Sequence, residues 1–227
     1  MLSTKRKARD GGHRSGFVSV QLRFNSKLTL EDYLSQQAWR SATLPSCPID
    51  GAECRPARHG CYWRKFPQPV PIARFYCARA QTTFSLLPDF LASRYRGTLN
   101  EFEQVCVAAE STDALAICNG IRPLDVTVSI SARSAQRWVA RRIVLFRITL
   151  LALLGVAVER LHGVQTATHL RERLGCVDAL VALRALASRN LASLPPPLGF
   201  GPWPKTLRRT PTPRQQAMAP EVEPPSG

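Results

Sequence analysis

The sequence predicts an α+β protein: a small zinc-ribbon-like β module, followed by a mainly α half that opens with helix-turn-helix proportions and continues as a helical bundle. Three observations carry this. Cysteines, prolines and short aromatic runs crowd between Cys47 and Pro88 without any helical period. From Gly97 onward the apolar residues recur at helical spacing. The chain of 227 residues is 44% hydrophobic, too apolar for wholesale disorder, yet carries 31 Lys plus Arg against 16 Asp plus Glu, a net charge of +15. Such a charge implies an anionic partner, most often nucleic acid or a membrane surface.

Residues 1–16 carry Lys5, Arg6, Lys7, Arg9 and Arg14 around two adjacent glycines and read as a disordered basic arm. No apolar stretch follows the basic start, so no signal peptide is expected, and seven cysteines, an odd number, do not make a tidy disulfide framework. A reducing cytoplasm fits both. From Phe17 to Phe24 the chain alternates, with Val18, Val20, Leu22 and Phe24 on one side, which predicts a short strand. Thr29 followed by Asp32 predicts a helix start, with the helix running to about Arg40. This strand and helix (17–46) lead into the β module (47–96).

The module holds Cys47, Cys54, Cys61 and Cys77, and from Arg55 through Pro88 it has six basic residues and no acidic one. Structural zinc takes four N or S ligands, usually delivered as two close pairs from two turns. Cys47 with Cys54 supplies one pair; Cys77, closing Arg74-Phe75-Tyr76-Cys77, starts the other; the segment between is long enough for two strands. The metal ligands expected are therefore Cys47, Cys54 and Cys77, with the fourth missing, because Ala78-Arg79-Ala80-Gln81 offers neither cysteine nor histidine. His59 or Cys61 substitutes only if the hairpin folds toward the metal. The alternative is a degraded site of three buried thiols.

The helical domain (97–194) starts at Thr98-Leu99-Asn100-Glu101, a capping box, and Leu99, Phe102, Cys106 and Ala109 form its apolar stripe. A second helix is expected from about Thr112 to Asn119, stopped by Gly120, then a connector containing Pro123. Ser131 caps a long helix expected to reach about Leu161, and further helices cover roughly Gln165–Leu174 and Val177–Leu194. The run Ile143 to Val158 is interrupted by Arg147 and too short for a bilayer, which needs roughly 20 residues, so no membrane span is expected. Pro195-Pro196-Pro197 ends helical structure by removing amide donors, and the tail (195–227) reads as proline-rich and disordered.

Several runs resemble a known family. Cys47-Pro48, Arg58-His59-Gly60-x-Tyr62-x-Arg64, Ile72-Ala73-Arg74-Phe75-Tyr76-Cys77 and Thr83-Phe84-Ser85-Leu86-Leu87-Pro88-Asp89-Phe90 resemble the zinc-ribbon head of bacterial insertion-sequence, transposase-related proteins. A narrower likeness is to bacterial proteins that keep this head and stop before any nuclease domain, where Leu194-Pro195-Pro196-Pro197-Leu198-Gly199-Phe200 is also typical. The resemblance implies a Zn2+-binding ribbon followed by a DNA-reading helix-turn-helix. Its second knuckle normally carries a further cysteine or histidine, and this chain departs from it there.

Ser131-Ala132-Arg133-Ser134-Ala135-Gln136-Arg137-Trp138 resembles the recognition helix of transposase-type helix-turn-helix domains. Arg133, Arg137 and Arg141 recur every four residues and share one face, while Ala135, Val139 and Phe146 face away. Arginine pairs with guanine, glutamine with adenine and serine with phosphate, so Ser131, Arg133, Ser134, Gln136, Arg137 and Arg141 are the candidate DNA-binding residues. Beyond Ile143 the face turns apolar (Val144, Ile148), so the second half of the helix is expected to be covered by later helices or another chain. Trp138 reads as core. His162 and His169 read as structural or solvent-facing, and Glu101, Glu103, Glu110 and Asp113 as a solvated helix face.

No catalytic residue is expected: there is no phosphate-binding glycine loop, no Gly-x-Ser-x-Gly, and only helices and a proline tail stand where a nuclease would need carboxylates from distant strands. The expected function is a non-catalytic DNA-binding protein related to mobile-element proteins, able to form a homo-oligomer through its helical half. The alternatives are a helical adaptor for a protein or RNA, and a degenerate transposase remnant.

Overall fold

A computed structural model describes residues 18–121 and 131–201. The expected basic arm, the Pro123 connector and the tail beyond residue 201 lie outside the described residues. The chain divides between Pro88 and Asp89 into two units.

The first unit is built on a four-stranded sheet in the order β1-β4-β3-β2, from β1 (Val18–Phe24), β2 (Ala57–Arg64), β3 (Val70–Cys77) and β4 (Thr82–Pro88). β2, β3 and β4 form an antiparallel meander, and β1 joins parallel to β4 with Val20 opposite Phe84 and Leu22 opposite Leu86. The two strands expected between Cys54 and Cys77 are β2 and β3. Side chains alternate across a strand, so Val20, Leu22, Phe24, Ala73, Phe75, Phe84 and Leu86 gather on one face with Trp39, Ala42 and Leu44. Between β1 and the module lies α1 (Leu30–Ser35), whose Thr29 hydroxyl accepts from the Asp32 amide at 3.1 Å. It stops short of Arg40. The fully buried Tyr33 ties it down by donating its hydroxyl to the Pro71 carbonyl at 2.8 Å, and Arg58 of β2 donates to the carbonyls of Trp39 (2.6 Å) and Ala42 (3.0 Å).

The second unit is helical: α2 (Leu99–Ala108), α3 (Ala114–Ile121), α4 (Ala132–Leu154), α5 (Val158–Leu161), α6 (Ala167–Leu174) and α7 (Ala179–Leu186). The capping box at α2 forms as read, with the Thr98 hydroxyl accepting from Glu101 N (3.0 Å) and the Glu101 carboxylate from Thr98 N (2.7 Å). Ser131 caps α4. That helix ends at Leu154 rather than Leu161, because Gly155 closes it and a separate turn, α5, follows. α3 begins at Asp113, whose carboxylate takes the Leu115 and Ala116 amides, and it runs through Gly120. α7 is likewise shorter than expected, with turns carrying the chain to Leu194.

The acidic residues of α2 and its exit are only in part a solvated face: Glu110 and Asp113 are exposed, but Glu103 is not. Glu103 is fully buried, accepting from Arg171 Nε at 2.5 Å and from the Leu180 amide at 2.8 Å. Glu110 accepts from the Ala167 and Thr168 amides at the start of α6. These carboxylates neutralise unpaired amides of later helices, which joins α2 to α6 and α7. The proline run also differs from its reading. Residues 196–199 and 201 are buried, and Arg184, itself fully buried, donates to the carbonyls of Asp89 (3.0 Å), Leu91 (2.5 Å), Pro197 (2.7 Å) and Leu198 (2.9 Å). Ser93 adds a bond from its amide to Pro197 O at 2.8 Å and one from its hydroxyl to Gly199 O. A side chain at Gly199 would run into the Leu194 carbonyl, so only glycine allows this closure. The end of the Thr83–Phe90 run and the Leu194–Phe200 run thus serve one buried joint around Arg184. Among the described residues, no helix is long and apolar enough to cross a membrane.

Candidate functional site

Cys47, Asp50, Cys54 and Cys77 bring one ligand atom each to within 4.8 Å of one another, a group able to hold a metal ion. The first turn is Cys47-Pro48-Ile49-Asp50-Gly51. The Gly51 amide bonds to Cys47 O at 2.9 Å, and Gly51 takes φ +79°, a conformation that favours glycine. The turn aims the Asp50 amide at Cys47 Sγ (3.4 Å), and the Cys47 amide bonds to Cys54 O (2.9 Å), which folds Cys54 back beside Cys47. Cys77 ends β3, where the turn into β4 aims the Ala80 amide at its sulfur (3.3 Å).

The Asp50 Oδ2 atom lies 3.7 Å from Cys47 Sγ and 3.4 Å from Cys77 Sγ. A tetrahedral ion with bonds of about 2.3 Å to sulfur and 2.0–2.2 Å to oxygen has edges of roughly 3.4–3.8 Å, so these two distances already fit. Cys54 Sγ and Cys77 Sγ are 2.9 Å apart, and such an ion would part that pair by roughly 0.9 Å. Cys47 and Cys77 are buried, while Asp50 and Cys54 are half-buried.

The three expected cysteines therefore come together, and the fourth donor beside them is Asp50, which the sequence reading did not consider. It stands three residues after Cys47 and just before a glycine, and that spacing was the available signal. Cys61, exposed on β2, and His59, against Tyr76, stay out of the group. Cys106 and Cys118 are buried on α2 and α3, and burial pushes the Cys106 thiol up to about 12.

The candidate DNA-binding residues lie on α4. Arg133, Gln136, Arg137 and Arg141 are exposed, as are Ala140, Val144, Arg147 and Leu151. At 3.6 residues per turn all eight fall within an arc of about 140°. Ala135, Val139, Leu145, Phe146 and Leu150 are buried on the opposite side, and no acidic residue lies on the helix. Ser131 is committed to the cap, accepting from Ser134 N at 3.3 Å, and Ser134 Oγ accepts from Arg137 at 3.4 Å. Arg142 is turned inward between two rings, 3.4 Å from the Trp138 centroid and 4.9 Å from that of Tyr95. Trp138 is half-buried against Arg142 and the α3–α4 cluster. Later helices cover much of the second half of α4, but Val144 and Leu151 remain exposed. His162 and His169 are exposed. No protein-family model, curated protein or solved structure matches the chain.

Proposed function

We propose that the chain is a non-catalytic DNA-binding protein, related to mobile-element proteins, in which α4 lies in the major groove and a zinc ion closes the β module. The observation that carries this is the outer face of α4: Arg133, Gln136, Arg137 and Arg141 exposed together on one helix without an acidic residue. The groove is wide enough for a helix, and arginine and glutamine offer bidentate bonds to guanine and adenine edges. A net charge of +15 supplies the long-range attraction.

For the metal, three thiolates and one carboxylate suit zinc better than a hard cation such as Mg2+ or Ca2+. Cys47, Asp50, Cys54 and Cys77 would hold it with four protein ligands, the closed arrangement of a structural site. Its role is then to fix two turns at one end of the β2–β3 hairpin.

Selection of bound sequences from a random duplex pool tests the reading. The wild type should enrich a defined site, and Arg133→Ala or Arg137→Ala should relax it, since one good bidentate contact is worth about 1–3 kcal/mol of discrimination. No enrichment by the wild type, or an unchanged site with both variants, defeats it. A second reading, a helical surface for another copy or a protein partner, is favoured by Leu151 at 68% and Val158 at 54% exposure. Both readings hold if the protein binds DNA as a dimer.

A further inference from the structure

Within the cysteine cluster, one pair of thiols is poised for more than holding a metal. The sulfurs of Cys54 and Cys77 lie 2.9 Å apart. That is between the roughly 2.05 Å of a disulfide and the roughly 3.8 Å edge of a zinc tetrahedron. A shift of roughly 0.9 Å one way or the other gives either state. The backbone frames the pair. Ala57 is in register with Tyr76, so Cys54, just before β2, and Cys77, the last residue of β3, stand at the same end of the hairpin. Access differs between the sulfurs. Cys47 and Cys77 are each 1% exposed, whereas Cys54 is half-buried in a stretch where residues 51–53 and Arg55 are exposed. A small solute therefore reaches Cys54 first, with the Cys77 sulfur behind it.

We infer that Cys54 and Cys77 form an oxidation site, which hydrogen peroxide converts into a disulfide with release of zinc. The Cys54 thiolate attacks one peroxide oxygen; the S–O bond forms, the O–O bond breaks and hydroxide leaves, giving a sulfenic acid. The Cys77 thiolate then attacks the Cys54 sulfur; the S–S bond forms, the S–O bond breaks and a second hydroxide leaves. Two thiolates have lost two electrons together, and the peroxide has gained them. Only Cys47 and Asp50 then remain as donors, too few for a closed tetrahedral site, so Zn2+ is released. The two turns stay joined, now by a covalent bond, and the β module keeps its fold. Thiols reverse the bond by exchange.

The release of zinc rests on the zinc reading above, whereas the thiol pair stands on its own geometry, so the two can fail separately. The full-length protein, zinc-loaded and metal-free, is treated with one equivalent of hydrogen peroxide. Zinc release is followed with a chromophoric chelator, thiols are counted after denaturation, and the bond is located by mass spectrometry of peptides. The thiol count should fall from seven to five, one zinc should leave per disulfide, and the bond should join Cys54 to Cys77 in both forms. Dithiothreitol with added zinc should restore the starting state. Cys61→Ser and Cys47→Ser should still form the bond, and Cys54→Ser should not. Far-ultraviolet circular dichroism of the oxidised protein should match that of the zinc-loaded protein. The inference is overturned if the bond maps to any other pair, if Cys54 stops at a sulfenic or sulfinic acid, or if oxidation unfolds the module. Zinc bound and kept with seven thiols intact leaves the zinc reading standing and removes this one. A Cys54–Cys77 bond in a protein that takes up no zinc upholds the oxidation site and removes the zinc reading.

Discussion

Replacing Asp50 by alanine should weaken zinc binding without unfolding the β module. The carboxylate is the only oxygen donor in the group, 3.7 Å from Cys47 Sγ and 3.4 Å from Cys77 Sγ. Removing it leaves three thiolates and an opening for water. Loss of a group that merely orients a ligand reduces metal affinity about 10- to 100-fold, so loss of a direct ligand should reach at least about 100-fold, or about 2.7 kcal/mol. Asp50→Cys should retain the metal, because the turn already places residue 50 beside Cys47. The assay is zinc competition against a chelator of known affinity, with cobalt substitution as a second readout. The thiolate-to-cobalt absorption should report three sulfurs in the wild type and in Asp50→Ala, and two in Cys54→Ser. Cys61→Ser and Cys106→Ser should bind as the wild type does. Unchanged affinity in Asp50→Ala, or equal loss in Cys61→Ser, would refute the assignment.

Two further predictions concern the second unit. Arg184→Met should lower stability to urea by about 3–5 kcal/mol, since it strips a charged donor from four carbonyls in a buried joint, and should leave zinc content unchanged. Cys106 should resist alkylation at pH 8 while the exposed Cys61 reacts first. Because burial raises the folded-state value of the Cys106 thiol from 9.0 to about 12, its contribution to stability is full below about pH 9 and is lost as the pH climbs from there toward 12. Thermal melts between those limits should fall less steeply for Cys106→Ala than for the wild type.

Much of this architecture was legible in local pattern. The alternation in Val20, Leu22 and Phe24 gave a strand face, the four-residue spacing of Arg133, Arg137 and Arg141 gave an exposed helix face, and Thr98 with Glu101 gave a cap, because each depends only on near neighbours. What was hidden depends on distant ones. The parallel pairing of β1 with β4 spans the whole module. Glu103 and Glu110 sit at ordinary helix spacing, yet meet amides of α6 and α7 far along the chain. The tail prolines look unstructured until Arg184 supplies donors to their carbonyls. Asp50 was hidden for another reason. A search for cysteine and histidine passes over a carboxylate, even when it follows Cys47 by one turn and precedes the glycine that the turn requires.

The salt dependence of binding to the selected duplex tests the central claim most directly. Each arginine that meets a phosphate should contribute about 0.9 to the slope of log affinity against log salt. Neutralising the outer face of α4 with Arg133→Gln, Arg137→Gln, Arg141→Gln and Arg147→Gln together should flatten that slope by about 2 to 4 and abolish preference for the selected site. Zinc content and the urea midpoint should stay at wild-type values, because these side chains are exposed. An unchanged slope and an unchanged preference would contradict the account and remove α4 as the reader.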